Sequence, residues 1–156
     1  LNGFTNIETF NVAFGAEDKT LYLRCSGLSN WHSCRGATEG TEDTIAVKGY
    51  RIDSFLKDKE NPTLIKMDVE GFELEVLKGA TQALKTVRHL FLELHGDLLS
   101  RAEIRELLDM VRGAGLTPSL IAQYDRPGLS RVCDVGHLKR IQAGDRGTYE
   151  LFFART

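Results

Sequence analysis

Hydrophobic positions in the second half of the chain change period in a regular way. Residues 64–67 form a short apolar run that ends in Asp68, Glu70 and Gly71, and a helical spacing starts at once. Leu74, Val76, Leu77, Ala80, Ala83 and Leu84 recur at i, i+3 and i+4, which predicts a helix over 72–87. Residues 89–95 form a second buried-type run that closes on Glu93, His95 and Gly96. Ser100 and Glu103 then make a capping box ahead of Ile104, Leu107, Leu108 and Val111, a stripe stopped by Gly113 and Gly115. Two closing strands are expected at 118–124 and 149–154, joined by a polar connection that contains glycine and several basic residues.

Upstream, residues 8–14 are rich in β-branched and aromatic side chains and read as a strand closed by Gly15. Residues 19–24 alternate apolar and polar as a half-buried strand does, and 44–48 read as another. Asp53 opens a short helical turn over 54–57. Residues 26–43, full of Gly, Ser, Asn, Thr and Glu with no period, form a long loop insertion. Strands alternating with helices predict an α/β fold, mostly parallel, with an antiparallel C-terminal edge. No segment repeats, which excludes a solenoid.

At 156 residues the chain fits one domain, large enough to bury roughly two thirds of its unfolded surface. A net charge of −2 gives no electrostatic case for nucleic acid or an anionic membrane. No apolar run reaches the ~20 residues a membrane span needs. Three cysteines make no even framework, which favours reduced thiols and a cytoplasmic setting, although Cys25 and Cys34 are close enough to pair.

The chemistry-bearing residues gather at strand ends. Open α/β sheets place ligands outside the carboxyl ends of their strands, where Asp68 and Glu70 stand after one run and Glu93 and His95 at the end of the next. An imidazole with an ordinary pKa of ~6.5 suits it to accept a hydroxyl proton. Glu93, two residues before His95, projects to the same face and is expected to orient the ring or to bind a metal with it. Each has a structural alternative: Asp68 as a helix cap, Glu70 as a partner of the helix dipole, and Glu93 with His95 as a satisfied pair. Glu73 and Glu75 read as solvated helix-face charges. Ligand spacing is too sparse to assign a metal, and Cys25 and Cys34, which bracket Trp31 and His32, lack the spacing of a zinc site. Trp31 reads as a stacking surface in a loop that shapes an acceptor pocket.

The stretch from Ile65 to Ala80, Ile-Lys-Met-Asp-Val-Glu-Gly-Phe-Glu-Leu-Glu-Val-Leu-Lys-Gly-Ala, closely resembles the signature of the FkbM-type methyltransferases. Asn11-Val-Ala-Phe-Gly15, Ile52-Asp-Ser-Phe-Leu56 and Leu92-Glu-Leu-His95 flank it in register, and the resemblance spans nearly the whole chain. It implies a Rossmann-like class I methyltransferase sheet with strand order 3-2-1-4-5-7-6, S-adenosylmethionine as cofactor, and O-methylation of a hydroxyl on a sugar, glycolipid or natural product. It implies that Asp68 orients or deprotonates the acceptor beside the methyl group, and that Asn11 and Ala13 lie against the adenine. It also implies that the chain is the substrate-side portion, apparently truncated at its N-terminus, with sheet edges open to homo-oligomer pairing. No glycine-rich phosphate turn follows any strand, which excludes a nucleotide-binding oxidoreductase. The same lack leaves a second reading open, a non-catalytic α/β binding module.

Overall fold

The computed structural model describes residues 3–25, 32–40, 43–126 and 129–155. The first strand, β1 (Ala13–Phe14), pairs in parallel with the end of β3 (Thr44–Tyr50), and β2 (Thr20–Arg24) runs antiparallel to β3. The expected strand over 8–14 thus shrinks to two residues. Its aromatic signal serves packing instead: Phe10 and Phe14 meet Phe55 edge-on at centroid distances of 4.9 and 5.2 Å. Phe55 belongs to α1 (Ile52–Phe55).

The remaining elements are β4 (Leu64–Met67), α2 (Glu73–Lys78), α3 (Ala83–Thr86), β5 (His89–His95), α4 (Arg101–Gly113), β6 (Leu116–Arg126), β7 (Leu129–Cys133), α5 (Leu138–Ala143) and β8 (Thr148–Arg155). The larger sheet has the order β4-β5-β8-β6-β7. The expectation of a mostly parallel sheet is corrected here. Among the described residues β4 with β5 is its one parallel pairing, and β8 is antiparallel to both β5 and β6. After α5 the chain returns from the opposite direction and inserts β8 between two strands, so β7 and not the last strand forms the edge. The region 125–148, expected as a plain connection, supplies all of β7 and α5; polar Ser130 and Arg131 hide the one, and only Leu138 and Ile141 signal the other.

Alternation builds the core. Leu90, Leu92 and Leu94 of β5 stand opposite Phe153, Leu151 and Tyr149 of β8, and all are buried with Leu77, Leu107 and Leu108 of the helices. Burying each such side chain contributes roughly 1.5–3 kcal/mol. On the other face Phe91 stacks on Phe152 at 4.3 Å, beside half-buried Glu93 and Glu150. Among the described residues no helix is long and apolar enough to cross a membrane.

The expected single helix over 72–87 breaks in two. Gly79 lies against the backbone of Gly15, where a Cβ would collide with the Gly15 carbonyl. The chain then restarts as α3 because the Asp53 carboxylate, brought in from α1, accepts hydrogen bonds from Gln82 N, Ala83 N and Thr81 Oγ1 at 3.0–3.1 Å. Asp53 therefore caps α3 from a distant element. Replacing Asp53 with Ala is expected to cost on the order of 2 kcal/mol. Urea unfolding checks this by a lower midpoint at unchanged slope; an unchanged midpoint contradicts the cap.

Candidate functional site

The loop that follows β4 carries Asp68 and Glu70, and β5 ends beside it with Glu93 and His95. The site's centre is a residue that helical-face reasoning placed in solvent. Glu73, at the first turn of α2, is 0% exposed, and its Oε1 lies 2.7 Å from His95 Nδ1. The Gly71 N–H donates to the same oxygen at 3.0 Å, while Oε2 has no partner among the described residues. A signal for this was present: Glu73 sits at i−3, i−4 and i−7 from Val76, Leu77 and Ala80, on the apolar face. Glu75, by contrast, stays half-exposed and pairs with Lys78 at 3.0 Å.

His95 itself is 7% exposed. Its Nε2 faces Glu70 Oε2 at 3.3 Å and Glu93 Oε1 at 3.8 Å. Burial alone pulls the imidazole pKa down, but the Glu73 hydrogen bond and the charges of Glu73, Glu70 and Glu93 outweigh it, and the net shift is upward. The ring is thereby favoured as imidazolium, a buried counter-ion around which carboxylates converge. Glu93 is pushed up from the usual carboxylate value by its own burial and by the Asp68 charge, opposed by His95 and Lys66.

Asp68 completes the cluster from the outside. Its carboxylate, Glu93 and His95 have polar atoms within 4.8 Å of one another. Close exposed acids are common without an ion, and no metal is assigned. Lys66 Nζ lies 3.4 Å from Asp68 Oδ2, a contact between exposed groups that contributes little to stability.

A cavity of about 690 Å³ opens on the other side of Asp68, between the edges of β1 and β4. Ala13, Phe14, Ile65, Met67 and Asp68 are among its lining residues. Ala13 of β1 and Asp68 after β4 thus line the same cavity, whereas Asn11 is exposed and outside the lining. His32 and Cys34 of the long loop also line it, and burial pushes the Cys34 thiol up, away from thiolate chemistry. Trp31 lies outside the described residues. Cys25, Cys34 and Cys133 are free thiols.

With a strand-end acid cluster on an α/β scaffold in view, comparison with known proteins assigns the chain. The profile of the methyltransferase FkbM domain matches residues 7–115, and the chain belongs to that family. A hexuronic acid methyltransferase, AglP of Haloferax volcanii, is 42% identical over 57 residues. That stretch takes in 35% of this chain and 24% of the relative, so the match spans about a quarter of the relative's length. No solved structure matches the chain.

The Glu73–His95 pair makes stability depend on pH with a definite sign. A group whose folded pKa lies above its ordinary 6.5 stabilises fully below pH 6.5 and loses that contribution as pH rises through the folded value. Glu73→Gln keeps the hydrogen-bonding shape and drops the charge. The gap in urea midpoint between the natural protein and this variant is expected to narrow as pH rises above 6.5; a gap that does not change with pH contradicts the pairing.

Proposed function

We propose that this chain forms the acceptor side of an S-adenosylmethionine-dependent O-methyltransferase that modifies a hydroxyl of a sugar. One observation carries the reading: among the described residues, Asp68 alone belongs both to the cavity wall and to the cluster around His95. Family membership and the sugar-modifying relative support it.

The residues fit the reacting end of the cofactor. S-adenosylmethionine, when bound, supplies an electrophilic methyl group on a positively charged sulfur. Converging carboxylates suit that charge, and the apolar lining by Ala13 and Phe14 suits the adenine. Asp68 holds the acceptor hydroxyl and takes its proton as the oxygen becomes an ether. Glu93, with its raised pKa, is placed to share that proton. Lys66, exposed beside Asp68 and lining the same cavity, is placed to meet the carboxylate of an acidic sugar.

The wall that grips the ribose and the methionine carboxylate needs residues these strands do not carry. Among the described residues β1 and β4 are edge strands of their sheets on either side of the cavity, and we place that wall against them, as further strands of a Rossmann-like sheet. The β4-β5-β8-β6 run agrees with the 4-5-7-6 part of that order. A non-catalytic module is the second reading, favoured by the absence of a glycine-rich turn in the sequence. Calorimetric titration of the chain with S-adenosylmethionine separates the two, since micromolar binding removes the second.

In protein that turns over, Asp68→Asn is expected to lower kcat by on the order of 10²-fold or more with the melting temperature retained. Full turnover in that variant removes Asp68 from the mechanism. Lys66→Met is expected to raise KM for a uronic acid acceptor roughly tenfold and to leave a neutral sugar unaffected. Equal effects on both sugars contradict the carboxylate contact.

A further inference from the structure

Glu70 adopts a left-handed backbone at φ +50°, and Gly71 follows at φ +86°. A side-chain-bearing residue keeps that conformation only when its surroundings hold it. The holding groups come from the long loop. Ser33 Oγ donates to the Glu70 carbonyl at 2.6 Å, and Arg35 Nη1 donates to the Gly71 carbonyl at 3.1 Å. Ser33 Oγ also accepts from the Arg35 N–H at 3.1 Å, which ties the two together.

Arg35 is in turn fixed by the capping box of α4. Its two guanidinium nitrogens meet Glu103 Oε1 and Oε2 at 2.9 and 3.1 Å, and Glu103 Oε2 also accepts from Ser100 N at 2.7 Å. The Arg35 hydrogen bond, with Ser100 adding to it against some burial, holds the Glu103 carboxyl down at about 2. Gly71 is closed in from both sides, since a Cβ there would crowd Leu98 and the Arg35 stem. Side chains alternate along this stretch: Ser33 and Arg35 reach the turn, while His32 and Cys34 line the cavity.

We propose that Ser33 and Arg35 are positioning residues of the site, holding the Glu70–Gly71 turn so that the Glu70 carboxylate faces His95 Nε2. The inference rests on the reading of this corner as the methyl-transfer site, but its test does not need turnover. Titration of the His95 ring by NMR in the full chain reads how closely Glu70 is held. The other charged groups facing that ring are Glu73 from α2 and Glu93 from β5, with Asp68 after β4 beyond them.

Ser33→Ala and Arg35→Lys are each expected to lower the His95 midpoint by roughly half a pH unit, as Glu70 moves away. Lysine keeps the charge and loses the two-pronged grip on Glu103, so the shift reports geometry and not charge. Ser33→Thr, which keeps the hydroxyl, restores the natural midpoint. In a Glu70→Gln background neither substitution shifts the midpoint further. Unchanged midpoints in the single variants overturn the proposal, as do equal shifts with and without the Glu70 charge. Should Arg35→Lys fail to fold, Ser33→Ala removes a single oxygen and carries the test. Where methyl transfer is measured, kcat falls with KM unchanged; absence of transfer in the natural protein counts against the functional reading and leaves the titration to decide this one.

Discussion

A carboxylate taken wholly out of water, with an imidazole 2.7 Å away, sets the terms for everything around it. A buried, unpaired carboxylate is costly, and Glu73 tolerates its position because His95 and the Gly71 N–H answer one oxygen. Glu70 and Glu93 approach the ring's Nε2 from its other side, and their charges add to the upward shift of the imidazole pKa. Asp68 stands at the outer rim of this arrangement and meets the cavity. The order of the four acids from inside to outside is thus an electrostatic order, with a buried structural partner at the back and a solvent-facing acid at the front.

The scaffold serves that arrangement through a few long-range ties. Asp53 starts α3 from across the fold, and Gly79 lets the backbone of the smaller sheet close against the end of α2. Arg155, at the end of β8, donates to the carbonyls of Leu84, Val87 and Ala114 and so ties α3 and the end of α4 to the last strand. Glu73 itself reaches His95 from the first turn of α2, across the core shared with β5.

Much of this was legible in the residue pattern. The strand end at Asp68, the strand ending in His95 and the Ser100–Glu103 box all lie where the periodicity places them. Glu93 and His95 were expected on one face, and their 3.8 Å approach agrees. Glu73 was misplaced because charge was weighed above position: its helical spacing pointed inward, and only the imidazole, 22 residues away in sequence, makes that burial tolerable. The two-residue β1 and the split helix escaped notice for a related reason. Aromatic packing on Phe55 and the remote cap from Asp53 are tertiary contacts that no local window contains. The hydrophobic period does not reveal that β8 inserts between β5 and β6; the 4-5-7-6 run implied by the family resemblance does.

The family supplies the reaction class, and the corner explains why these acids stand where they do. Everything in that explanation hangs on the charge of one ring. Nitrogen-15 chemical shifts of the His95 imidazole at pH 6.5 read it directly, because protonated and neutral rings differ clearly. A ring more than half protonated, with its Nδ1 proton held by Glu73, is the result this account predicts. A ring mostly neutral at that pH would contradict it.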